Sequence, residues 1–142
     1  MKTNRRYAKT TAYLERLRKA ENHVKGLETR AESLRMMATD TSNHMSGISG
    51  RGGGDRDRTG RMMAEIDEIE RQLETARDEA RKTREEIGMK LCQISDPIAM
   101  KAIVLHDIEH LSGEETAEIM RCSRTQIYRL RDAGYAELEK IL

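Results

Sequence analysis

The stretch LSGEETAEIMRCSRTQIYRLRDAGYAEL, residues 111–138, decides the fold of the C-terminal third. Ser112 is followed three residues later by Glu115, and Ser123 by Gln126. In this capping-box spacing the serine hydroxyl accepts the backbone N–H of the third helical residue, whose side chain can return a bond. Two short helices are predicted, joined by a three-residue turn through Arg121 and Cys122. Ala117 supplies the small residue that a close helix crossing needs. Met120, Cys122, Ile127 and Leu130 take the inward positions of a helix-turn-helix. The outward face of the second helix then carries Arg124, Thr125, Tyr128, Arg129 and Arg131, donors suited to phosphates and base edges. With Ser112, Arg121, Ser123 and Gln126 at the helix starts and the turn, these are the residues expected to contact double-stranded DNA. The helix that begins near Ser123 is expected to lie in the major groove.

Upstream, Asp96 is placed to cap a helix that starts at Pro97, where a missing N–H costs nothing. That helix is expected to carry Ile98, Ala102, Ile103, Leu105 and Ile108 inward. Further back, apolar residues recur in steps of four and three at Tyr13, Leu17, Ala20, Val24, Leu27, Ala31, Leu34 and Ala38. A second series runs Met62, Ile66, Ile69, Leu73, Ala76, Ala80, Thr83, Ile87, Leu91 and Ile94. Both are heptad seams, so two long helices are predicted. The segment TSNHMSGISGRGGGDRDRTG between them is rich in Gly and Ser and without periodicity, which predicts a flexible loop over about 39–61. Its GRGGG string lacks the Lys-Ser or Lys-Thr ending of a phosphate loop.

The predicted class is all-α: a long antiparallel coiled-coil hairpin followed by a small helix-turn-helix domain. The expected boundaries are a basic arm at 1–12, the hairpin at 13–94 and the C-terminal domain at 95–142. Four of the eight first-seam positions are Ala or Tyr, so the hairpin is expected to be of modest strength, and a second copy of the chain can complete it.

Composition agrees with long solvated helices: 36% of the 142 residues are charged, and the aromatics are four Tyr with no Phe or Trp. The nine Met fill apolar seams where aromatics are missing, and imply no cofactor. No membrane span or signal peptide is visible, so a cytoplasmic protein without membrane partners is expected. Cys92 and Cys122 are far apart and read as small apolar residues rather than as a disulfide or zinc pair. The net charge of +1 is uneven. The first nineteen residues carry seven Lys or Arg against one Glu, and Lys2, Arg5, Arg6 and Lys9 are expected to add nonspecific affinity for phosphates. From Ser95 onward there are six basic and nine acidic residues, but Arg121, Arg124, Arg129 and Arg131 follow one another with no acid between.

Residues 98–142, IAMKAIVLHDIEHLSGEETAEIMRCSRTQIYRLRDAGYAELEKIL, resemble region 4 of bacterial sigma factors, in particular the phage and prophage regulators of the ArpU and RinA type. Those regulators similarly place a charge-rich helical segment before a sigma-like domain. The resemblance implies transcriptional control, often of phage genes, with RNA polymerase as a further partner. Arg121 departs from the pattern, since many such motifs have Gly there, and Thr116 is less apolar than usual.

Two other readings arise from the residues. HDIEH, 106–110, has the spacing of an inverted zinc-peptidase signature, but a third ligand and a substrate domain are wanting in the thirty-two residues that follow. No nucleophile, base and orienting group cluster, so neither an enzyme nor a metal or cofactor site is expected. The alternative function is a phage structural, assembly or packaging protein whose C-terminal domain makes protein contacts.

Overall fold

The computed structural model describes the backbone of residues 5–45 and 53–142, and the side chains of residues 5–40 and 57–142. Among these residues every regular element is helical. Helix α1 is Ala8–Met45, entered through a 3-10 turn at Arg5–Tyr7, and α2 is Gly53–Leu91. Helix α3, Pro97–Ile103, continues into a π-helical turn at Val104–Ile108; α4, Gly113–Met120, and α5, Arg124–Ile141, follow. No described helix is long and apolar enough to cross a membrane.

The chain divides into two compact units, Ala20–Ala80 and a unit made of Met1–Lys19 with Arg81–Leu142. Within Ala20–Ala80, α1 and α2 pair antiparallel, because Glu28 meets Arg77 while Arg35, seven residues on, meets Glu70, seven residues back. The heptad seams lie between the helices: Leu27, Ala31, Ile66, Ile69, Leu73 and Ala76 are buried. Solvated ion pairs such as Arg30–Glu65, at 3.1 Å, flank the seam and add little to stability.

The second unit is built on a different plan from a free-standing C-terminal domain. Its core joins Leu14 and Leu17 of α1, Ile87 and Leu91 of α2, and Ile94 with Ala99, Ile103, Ile108 and Leu138. Helix α5 crosses α3 at Gly134, where a β-carbon would collide with the Ile103 Cδ1 methyl and touch the Ala99 β-carbon at 3.7 Å. Asp96 caps α3, accepting the Ile98 N–H at 2.9 Å, with Pro97 at the first helical position.

Several boundaries and positions differ from the sequence reading. Residues 8–12, expected in a basic arm, are already α1. The compact unit takes in both Met1–Lys19 and Arg81–Leu142 instead of starting at residue 95. Of the expected loop, residues 39–45 and 53–61 are helical, and 46–52 lie outside the described residues. Thr39 fits a helix because its hydroxyl donates to the Arg35 carbonyl at 2.9 Å. Ile98 is 57% exposed, because α3 turns its Ala99, Ala102 and Ile103 face to the core instead. Cys92 is exposed and Cys122 half-buried, so the first is not a core residue.

Candidate nucleic-acid interface

The helix-turn-helix forms where the capping serines place it. Ser112 and Ser123 are extended and accept the N–H groups of Glu115 and Gln126, each at 3.1 Å. Thr116 is fully buried, and its hydroxyl donates to the Ser112 carbonyl at 2.8 Å, which explains how a polar residue occupies an apolar position.

Helix α4 ends at Arg121, which is left-handed at φ 54° and ψ 47°. The Cys122 N–H donates to the Ala117 carbonyl at 3.0 Å and the Arg121 N–H to Glu118 at 3.3 Å, the two bonds of a Schellman ending. A left-handed residue favours Gly, since a β-carbon there crowds the backbone. An Arg121→Gly variant should therefore gain about 1 kcal/mol of stability, read as a higher urea midpoint. An unchanged or lower midpoint would show that the turn depends on the arginine side chain.

Ile127, fully buried, anchors α5 beneath α4, and Ala117 lies at 8% exposure in the crossing. Arg124, Thr125, Gln126 and Arg129 are exposed, together with Ser123 at the helix start, with Thr125 and Arg129 on the side away from Ile127. Ser123, Thr125, Gln126, Arg129 and Leu130 line a shallow depression of about 470 Å³. The N-terminal N–H groups and the positive end of the helix dipole open beside Ser123, an environment that favours an anion.

Tyr128 is 41% exposed and serves as a support for its neighbours. Its ring meets His106 edge-on at 6.4 Å, and a β-carbon on Gly113 would lie 2.9 Å from its hydroxyl. The Arg124 guanidinium sits 5.7 Å from the Tyr128 ring centroid, with Glu114 at 3.7 Å, so the ring holds that arginine over the start of α5.

Arg131 is not on the outward face. Its guanidinium donates to Asp107 at 2.8 and 3.1 Å and to the Tyr135 hydroxyl at 3.1 Å, while Tyr135 donates to Asp107 at 2.8 Å. The side chains of Arg131 and Asp107 are only 18% and 14% exposed. Burial opposes the Arg131 charge, but Asp107 outweighs it and raises the guanidinium pKa further. Burial, reinforced by Asp107, pushes the Tyr135 phenol well above its ordinary range. Arg131 thus ties α5 to the π-helical turn and leaves the candidate DNA-contacting set.

The π turn explains the contact. Its extra residue per turn presents both His106 and Asp107 to α5, and the Glu109 N–H closes it on the Val104 carbonyl at 2.9 Å. His106 Nδ1 bonds the Leu111 carbonyl at 2.7 Å, and burial, with Arg131 nearby, holds the imidazole below its usual pKa. His110 lies beyond the helix at φ 58°, so His106 and His110 do not share a helical face as a zinc-peptidase pair would. Among the described residues no group of three or more His, Cys, Asp or Glu is placed to hold a metal ion.

No protein-family model, curated protein or solved structure matches the chain.

Three positions in this unit were not singled out from sequence. Gly134 and Gly113 sit where other side chains press on the backbone, but Gly26, Gly60 and Gly88, also helical, have open space there, so a helical glycine does not by itself mark such an approach. Asp107 carries no local signal, since its partner lies twenty-four residues downstream.

Proposed function

We propose that the chain is a sequence-specific double-stranded DNA-binding transcriptional regulator that reads the major groove with α5. The observation that carries this reading is a serine-capped helix held by a Schellman turn, with Thr125 and Arg129 projecting from the face opposite Ile127 and Arg124 exposed beside Tyr128. The exposed Glu114, Glu115 and Glu118 on α4 repel phosphates and confine groove contact to α5. The resemblance to sigma region 4 adds a phage or prophage setting and RNA polymerase as a candidate partner.

The test is affinity for a selected duplex and for random DNA, with circular dichroism as the folding control. A bidentate arginine on guanine contributes about 1–3 kcal/mol of discrimination, so Arg124→Ala and Arg129→Ala should each weaken specific binding about 10- to 100-fold. Both variants should keep wild-type helicity. Full retention of preference by both would remove α5 as the reading helix and favour a domain that makes protein contacts.

A further inference from the structure

The start of α1 is fastened along α5. The Glu139 carboxylate accepts the Thr10 N–H at 2.8 Å, the Thr10 hydroxyl at 2.9 Å and the Lys9 N–H at 3.2 Å. Tyr7 packs edge-on against Tyr135 at 6.1 Å, and Leu14 and Leu17 enter the shared core. The first turn of α1 thus lies against the Tyr135–Glu139 stretch of α5, and its later residues Glu15, Arg18 and Lys19 line a cleft with Tyr128 and Arg131, so α1 leads from that stretch toward Tyr128.

This direction decides which cations of α1 lie near the DNA-reading surface. Arg5 and Arg6 immediately precede Tyr7, which meets Tyr135, about 16 Å along α5 from Arg124 at 1.5 Å per residue over eleven residues. Lys2 lies outside the described residues. Arg18 and Lys19, both exposed, arrive on the Tyr128 side. With His110, Tyr128 and Arg131 they line a cleft of about 990 Å³, and Tyr128 is the residue that supports Arg124.

The charges around this cleft are not all basic. Glu15, Asp107 and Asp132 line it as well, but Asp107 is matched by Arg131. A duplex seated on Thr125 and Arg129 would present one sugar-phosphate strand on the Tyr128 side of α5. We infer that Arg18 and Lys19 form a phosphate-binding strip for that strand, so that the first helix of the chain takes part in DNA binding. The inference rests on the proposed reading of α5 and extends it to a second element. It also moves the nonspecific contribution expected of Arg5, Arg6 and Lys9 about three turns further along α1.

The experiment measures DNA affinity of the full chain against salt concentration. Each neutralised phosphate contributes about 0.9 to the slope of log affinity against log salt. An Arg18→Gln/Lys19→Gln variant should lose about 1.8 of that slope, while its preference for the selected duplex over random DNA stays unchanged. Arg5→Gln/Arg6→Gln should keep the wild-type slope, and the charge-conserving Arg18→Lys/Lys19→Arg should restore it. A wild-type slope in Arg18→Gln/Lys19→Gln, or an equal loss in Arg5→Gln/Arg6→Gln, overturns the strip while leaving the α5 reading intact. Absence of DNA binding by the wild-type chain overturns both.

Discussion

A fragment of residues 95–142 should fail to fold on its own. The core of the unit that contains α4 and α5 draws Leu14 and Leu17 from α1, and Ile87, Leu91 and Ile94 from the end of α2 and the residues after it. Burying an aliphatic side chain contributes about 1.5–3 kcal/mol, so removing these five withdraws on the order of 8–15 kcal/mol. That is comparable to the whole stability of an ordinary domain, about 5–15 kcal/mol. The loss of the Glu139–Thr10 bonds removes a further fastening. Far-ultraviolet circular dichroism of the fragment should show little helix and no cooperative melting. A sharp thermal transition would mean that α3 to α5 close a core without the first and second helices.

The next largest effect is expected at Arg131, and it should be a stability effect. Truncation to alanine leaves Asp107 part-buried beside Tyr135 with no cation. Breaking a buried pair on one side typically costs about 3–5 kcal/mol, because the remaining charge stays desolvated and unpaired. Arg131→Ala should therefore lower the denaturation midpoint strongly. Replacing both partners, as Arg131→Leu/Asp107→Leu, should recover much of the loss by removing the orphaned carboxylate. If Arg131→Ala melts like wild type and loses only DNA affinity, the arginine faces outward after all.

This contrast between Arg131 and its neighbours shows what was legible in the sequence. Patterns set by local chemistry were: both heptad seams fall on buried or half-buried positions from Leu17 to Ala38 and from Met62 to Ile94. The caps at Asp96, Ser112 and Ser123 were legible for the same reason, since each bond spans two or three residues. The direction of Arg131 was not. Helical spacing puts it at the edge of the apolar face, and only Asp107 on the π turn draws it inward.

The domain boundary was hidden for a related reason. Thr10 and Glu139 are separated by 129 residues, and nothing in either neighbourhood signals the other. A partial clue lies in Tyr7, Thr10, Leu14 and Leu17, which are buried and spaced by three, four and three, shifted by one residue from the seam that passes through Tyr13. Of the candidate contacts, Arg124, Thr125, Gln126 and Arg129 are exposed around Ser123, Tyr128 shares its surface with His106 and Gly113, and Ser112 and Arg121 are exposed at the two ends of α4.

The central claim, that α5 reads base sequence, is tested most directly by selection from a random double-stranded DNA library with the purified full-length chain at physiological salt. Repeated rounds of binding and sequencing should enrich a short defined motif, and the enrichment should collapse for Arg129→Ala while the variant's helicity is unchanged. Recovery of sequences at their input frequencies, with wild type and Arg129→Ala retaining DNA equally, would contradict it.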